Sequence, residues 1–152
     1  MPFRFRSFAA TVVALSFVVA SSASAQSEEP KTELGKKMST INTAFKAVGR
    51  QIEDPTKNAS TLEQIGIIET NAKAALALEP EKKGQIPAGD QAKFVADYQA
   101  GMKKMLATVD KLKAAVKAGK NTDALAIIDE MKGVQRDSHK EFRIRKPGGS
   151  PI

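Results

Sequence analysis

The chain contains no cysteine and no tryptophan, and it has one histidine and one tyrosine among its 152 residues. Without cysteine there can be no disulfide, no thiolate nucleophile and no thiolate metal ligand. The single histidine, His139, excludes a di-iron centre built from two Glu-x-x-His motifs. Its neighbour Ser138 points about 100° away from it on a helix, so the two cannot form a catalytic dyad. We therefore expect no enzymatic activity.

Long apolar runs are also missing, except near the N-terminus. Arg4 and Arg6 precede the apolar run FAATVVALSFVVA, and the small residues ASA end at Ala25. This order is typical of a secretory signal peptide, and the run is shorter than the roughly 20 residues that span a bilayer. The pattern predicts a leader over residues 1–25, export to the periplasm and no membrane insertion.

The remaining chain is long enough for one domain with one apolar core. Residues 26–146 are predicted to form that domain, and Pro147, Gly148 and Gly149 begin a tail, residues 147–152, that we expect to be disordered. The formal charge of the whole chain is +7, which favours acidic partners. Nucleic acid is not expected as a partner, because the lysines are spread along helices without interleaved aromatic residues.

Apolar residues recur every three or four positions in four segments, which is typical of amphipathic helices. The first helix is predicted over residues 31–53. Ser60 and Glu63 indicate a capping box for the second, Asp90 a cap for the third, and Gly119 the end of the third. The fourth starts at Asn121 or Thr122. Strand patterns are absent, so the sequence predicts an all-α, antiparallel up-down-up-down four-helix bundle.

Met38 and His139 are level in such a bundle. Each lies roughly 10 Å from the same end, one early in the first helix and the other late in the fourth, and each falls on an inward stripe. A thioether and an imidazole are an axial ligand pair for haem iron. The same spacing also fits a methionine that fills the core and a partly exposed histidine near a helix C-terminus.

Two segments resemble those that carry the haem ligands in the cytochrome b562 family: ELGKKMSTINTAFKAV at the start of the bundle and QRDSHKEFR at its end. The resemblance extends from about Glu33 to Arg143. It implies an electron-transfer protein that binds one haem b without covalent links, with Met38 and His139 as ligands of the iron. The lack of a Cys-x-x-Cys-His motif agrees with non-covalent haem.

The resemblance also implies further haem-site residues. Arg143 matches a family position four residues after the histidine, and Phe94 and Tyr98 match aromatic residues of the third helix that line the pocket. We expect a monomer that exchanges electrons with redox proteins. These partners would be acidic if the basic residues near the ligand end form the docking site, and those residues are Lys36, Lys37, Lys140, Arg143, Arg145 and Lys146.

Two other functions remain open at the level of sequence. One is a haem-free exported helical bundle that acts as a binding or structural module, with Met38 and His139 as ordinary core and surface residues. The other is a five-coordinate haem protein that binds small gases, which requires that Met38 does not reach the iron.

Overall fold

The computed structural model describes residues 32–144 as four α-helices joined by short connections. The helices are α1 (Glu33–Gln51), α2 (Asn58–Leu76), α3 (Gln91–Lys117) and α4 (Asn121–Phe142). Short 3₁₀ turns occupy Pro55–Lys57, Glu81–Gln85 and Ala88–Asp90. No strand occurs within residues 32–144, so the predicted all-α class is confirmed. The predicted leader, residues 1–25, and the predicted tail, residues 147–152, lie outside the described residues.

A hydrogen-bonded pair of asparagines joins the four helices at one end of the bundle. Nδ2 of Asn121 donates to the Ile52 carbonyl at 2.6 Å and to Oδ1 of Asn58 at 2.9 Å. Nδ2 of Asn58 donates to the carbonyl of Val116 at 3.4 Å. The end of α1, the start of α2, the end of α3 and the start of α4 therefore meet here. Consecutive helices run in opposite directions, as predicted, and we call this end the asparagine end.

The core is formed by the inward stripes of the four helices. Val48, Ile65, Leu112 and Ile128 are buried with at most 1% of their surface exposed. Two threonines, Thr61 and Thr108, are also buried. They were not predicted as core residues, because a polar residue does not belong to the apolar pattern that predicts the core. The hydroxyl of Thr61 donates to Oε1 of Gln51, and that hydrogen bond satisfies the buried group.

Local residue chemistry explains where the helices begin and end. Thr32 caps α1, since its hydroxyl accepts the N–H of Gly35 at 3.1 Å. Gly119 ends α3 as predicted: its φ is +67°, and the N–H of Lys120 donates back to the carbonyl of Ala115 in a Schellman arrangement. The predicted capping box of α2 is wrong. This helix already begins at Asn58, and the hydroxyl of Ser60 donates to Gln51 across the turn.

The spacing of the helices is uneven around the bundle. The pairs α1 and α2, α2 and α3, and α3 and α4 approach each other closely along their lengths, whereas α1 and α4 have few close backbone approaches. The backbones of α1 and α4 are thus farther apart than those of the other neighbouring pairs. We call the gap between α1 and α4 the open seam. None of the helices within residues 32–144 is long and apolar enough to cross a membrane.

Candidate functional site

The starts of α1 and α3 and the ends of α2 and α4 form the end of the bundle opposite the asparagine end. Tyr98, in the second turn of α3, donates its hydroxyl to the carbonyl of Ala75 near the end of α2 at 2.9 Å. Met38 lies in the second turn of α1, and His139 lies in the last turns of α4. The structure therefore places both predicted iron ligands at one end, which we call the ligand end.

Three aromatic rings connect the last turn of α4 to α3. The ring centroid of Phe142 lies 5.3 Å from that of Phe94 and 5.6 Å from that of Tyr98, in tilted and edge-on arrangements. Such contacts stabilise by about 0.5–1.5 kcal/mol beyond the area that they bury. Phe142 also lies over Gly101, where a side chain would meet the ring. The helix turn that bears His139 is therefore packed against α3 rather than left free.

Phe94 and Tyr98, predicted to line a cofactor pocket, have different surroundings. Tyr98 is only 4% exposed and is hydrogen bonded, and burial raises the pKa of its hydroxyl to about 12. Phe94 is partly exposed at the edge of the aromatic cluster. Phe94 can thus present an apolar surface to a ligand, whereas the hydroxyl of Tyr98 is already used within the fold.

His139 is more exposed than its place on the inward stripe predicts. Phe142 is nearer the end of α4 but is less exposed because it packs against α3, so the exposure of His139 reflects the side of α4 on which it lies. Partial burial, followed by the positive charge of Arg143, nevertheless lowers the pKa of its imidazole below the ordinary value of 6.5. The ring is therefore neutral at pH 7, and neutral imidazole is the form that ligates iron.

Met38 is partly buried and packs against the core. Its thioether is thus next to apolar side chains and close to the surface of the ligand end, which suits both a core residue and a ligand. Arg143 is exposed and ends α4, and its backbone N–H donates to the carbonyl of His139 at 3.2 Å. All five predicted site residues lie at the ligand end.

Two further residues belong to or contact the helix turn that bears His139 and were not predicted as site residues. One is Phe142, and its i, i+3 spacing from His139 was the available signal in the sequence. Lys82, in the connection between α2 and α3, donates its ammonium group to the carbonyl of Glu141 and so satisfies a free carbonyl at the end of α4. A lysine in a polar connection carries no sequence signal for that contact.

The residues at the ligand end fit a haem better than they fit a bare metal ion. Within residues 32–144, no three His, Cys, Asp or Glu side chains are grouped in a way that could bind a metal. One thioether and one neutral imidazole are instead a donor set that haem iron uses, with the porphyrin supplying four further nitrogens. Met38 and His139 belong to α1 and α4, the two helices that border the open seam.

No curated protein sequence matches the chain. The sequence profile of the family described as Cytochrome b562 matches residues 33–143, which run from the first residue of α1 to the residue after α4. The match includes Met38, His139 and every helix of the bundle. The chain therefore belongs to the cytochrome b562 family, a family of helical bundles that bind haem and transfer electrons.

Proposed function

We propose that this protein is an exported electron carrier that binds one non-covalent haem b between the sulfur of Met38 and a ring nitrogen of His139. The observation that carries the proposal is the position of these two side chains, which lie at the same end of the bundle on the two helices that border its open seam. When bound, the haem supplies an iron that gains and loses one electron. No bond in a substrate is made or broken.

The residues of the chain have separate tasks in this proposal. His139 offers a neutral imidazole at pH 7, because partial burial and Arg143 lower its pKa. Met38 offers a thioether, which raises the reduction potential relative to a second nitrogen ligand. Arg143 is exposed beside His139 and can pair with a propionate carboxylate. The core side chains against which Met38 packs exclude water from one side of the site, and Phe94 adds a partly exposed apolar surface.

Location and partners also belong to the proposal. The leader pattern over residues 1–25 favours export to the periplasm. Electrons would pass to and from other redox proteins at the ligand end, and exposed basic residues there would attract acidic partners. Lys36 lies 4.0 Å from Glu33, and Lys140 lies 3.7 Å from Asp137. Each of these lysines therefore attracts an acidic partner less strongly than an unpaired lysine would. We propose that the carrier is a monomer.

The first test is the visible spectrum of the protein purified after expression with haem supplied. We expect the sharp bands of low-spin, six-coordinate haem in the reduced state. Bands of five-coordinate haem would favour the gas-binding alternative. A colourless protein that does not bind added haemin would contradict the proposal and leave the haem-free bundle.

The ligand assignment predicts different effects for two alanine variants. His139→Ala should weaken haem binding by tenfold or more, about 1.4 kcal/mol for each factor of ten, and leave any bound haem high-spin. Met38→Ala should retain haem but lose the low-spin spectrum and lower the reduction potential, because thioether is the weaker ligand. Haem titration and potentiometry measure both effects.

Met105→Ala is the matched control, since Met105 is also a partly buried methionine that packs against the core. We expect it to keep the low-spin spectrum. If Met38→Ala keeps the spectrum and Met105→Ala loses it, the sulfur ligand is Met105 and the assignment of Met38 is wrong. If neither variant changes the spectrum, Met102 is the next methionine to test.

A further inference from the structure

The positive charge of the described chain is concentrated in one segment. Residues 32–144 contain nineteen basic and fifteen acidic residues, and residues 98–122 contain six lysines against one aspartate. Outside that segment the described residues carry thirteen basic and fourteen acidic side chains. The segment comprises most of α3 and the turn that follows it. Residues 32–144 are therefore nearly neutral outside this segment and basic within it.

Five of the six lysines are exposed and form what we call the lysine face. They are Lys103, Lys104, Lys111, Lys117 and Lys120. Within residues 32–144, none of them lies within ion-pair distance of a carboxylate, although eight ion pairs occur elsewhere in that range. The sixth lysine, Lys113, binds Glu69 at 2.7 Å. The other exposed residues between Lys103 and Lys120 are Ala107, Asp110, Ala114, Ala118 and Gly119, so a single carboxylate lies among the five lysines.

The helix dipole explains only part of this arrangement. Lys117 and Lys120 lie at the C-terminus of α3, where positive side chains stabilise the helix. Lys103, Lys104 and Lys111 lie in the interior of the helix, too far from the terminus for that effect, which falls off within one turn. These three lysines also have no ion pair, so no contact within residues 32–144 accounts for their charge. A partner with many negative charges would supply the missing counter-charge.

The shape and composition of the lysine face indicate which kind of partner fits. The face is about 25 Å long along the helix axis from Lys103 to Lys120. It has no exposed aromatic or large aliphatic side chain between them that could act as the anchor typical of a protein interface. Alanines between the lysines leave the ammonium groups unobstructed. Such a surface suits a broad layer of negative charge rather than one specific pocket.

The lysine face lies away from the ligand end. Tyr98 marks the ligand end of α3, and the lysine face begins beyond it and continues to the asparagine end. A redox protein docked at Met38 and His139 would not cover Lys111, Lys117 or Lys120. The face and the ligand end can therefore be used at the same time.

We propose that the lysine face binds the protein electrostatically to a bilayer surface that contains anionic phospholipids, with the ligand end left free for redox partners. Each lysine near such a surface strengthens binding by about fivefold, and salt weakens the attraction. Binding is peripheral, because the face has no apolar side chains to insert. It does not depend on haem.

The experiment is co-sedimentation with vesicles, using a chain that begins at Gln26. That chain contains every contact described above and lacks the apolar leader, which would bind lipid by itself. One set of vesicles is phosphatidylcholine alone, and the other contains roughly one third phosphatidylglycerol. A face variant and a control variant each lose three lysines and therefore have the same net charge. The face variant is Lys104→Gln, Lys111→Gln and Lys117→Gln; the control is Lys57→Gln, Lys73→Gln and Lys132→Gln.

We expect the unsubstituted chain to bind the anionic vesicles at low salt, to release near 0.15 M salt, and to ignore phosphatidylcholine. The face variant should bind on the order of a hundredfold less tightly, while the control stays within a few fold. Equal losses in both variants, or no binding to anionic vesicles, would overturn the proposal. Displacement of the bound chain by an acidic protein at equal charge concentration would overturn it in favour of a protein partner. Since no haem is used, the result is separate from the test of the proposed function.

Discussion

Tyr98 is the residue through which three helices meet at the ligand end. Its hydroxyl donates to the Ala75 carbonyl of α2, and its ring meets the edge of Phe142 on α4. Burial raises its pKa to about 12, so the hydroxyl keeps its proton and remains a donor at neutral pH. The position of the helix turn with His139 therefore depends on a side chain that is itself fixed by a hydrogen bond.

Tyr98→Phe tests the hydroxyl while leaving the ring in place. We expect a loss of about 1–2 kcal/mol in the free energy of unfolding, because the buried Ala75 carbonyl loses its tyrosine donor. Urea unfolding of the haem-free protein measures the loss. Thr43→Val is the control, since it removes a hydroxyl whose hydrogen bond to Ser39 is exposed, and its effect should stay within roughly 0.5 kcal/mol. Equal losses of unfolding free energy in the two variants would show that the buried hydrogen bond of Tyr98 stabilises the fold no more than the exposed one of Thr43.

At the scale of the helices, the sequence predicts those helix boundaries that depend only on residues close by in the chain. The stripe of α1 predicts that helix to within two residues at each end, and Gly119 predicts the end of α3 because only its own backbone conformation is involved. The start of α2 was missed because Ser60 binds Gln51, which lies on the preceding helix.

In the candidate site, too, the features set by local sequence could be predicted and those set by tertiary contacts could not. Met38 and His139 are identifiable because they lie in recognisable segments, and the periodicity places them at one end. The exposure of His139, the contact of Lys82 with Glu141 and the open seam between α1 and α4 depend on tertiary packing. No repeat in the sequence encodes such long-range contacts, so the structure was needed to find them.

The asparagine pair predicts a stability effect at the end opposite the site. Asn121→Ala removes the donor to Ile52 and leaves the side chain of Asn58 with one partner fewer, so we expect unfolding to become easier by about 1–3 kcal/mol. Haem affinity should change by less than about threefold, since the pair is distant from Met38 and His139. Asn71→Ala is the control, because Asn71 bonds only the exposed carbonyl of Ile67 in its own helix. A large loss of haem affinity in Asn121→Ala would contradict the separation of the two ends.

Glu69 joins α2 to α3 and predicts a pH dependence of stability. Hydrogen bonds from Lys113 and then Lys73 lower its pKa from 4.5 to about 2. Because the folded pKa lies below the unfolded value, the stabilisation is fully present above pH 4.5 and is lost as the pH falls towards 2.

The measurement is urea unfolding of the unsubstituted protein and of Glu69→Gln from pH 7 to pH 2. We expect a difference of about 1 kcal/mol at pH 7 that shrinks below pH 4.5. Glu63→Gln on the same helix is the control, since Glu63 is exposed and makes no ion pair within residues 32–144. A difference for Glu69→Gln that stays constant across this range would contradict the assignment.

At the scale of the whole molecule, the charge is arranged so that two surfaces can act separately. The ligand end carries basic residues that are partly offset by neighbouring acids, as Lys140 is by Asp137. The lysine face carries five exposed lysines without an ion pair, from Lys103 in α3 to Lys120 in the turn that follows it. Long-range attraction depends on the field of the whole protein, whereas the final docked complex depends on the charges at the contact.

This separation predicts how electron exchange with an acidic redox protein responds to salt. If docking occurs at the ligand end, Lys37→Gln with Lys140→Gln should reduce the rate at low salt severalfold and flatten its dependence on ionic strength. Lys111→Gln with Lys117→Gln removes the same charge from the lysine face and should have a smaller effect, because those residues lie beyond the Debye length of about 10 Å at 0.1 M salt. Stopped-flow mixing of the haem-loaded protein across a salt series measures both rates. A larger effect for the second pair would place the docking site on the lysine face, and rates independent of salt in every case would remove electrostatic docking altogether.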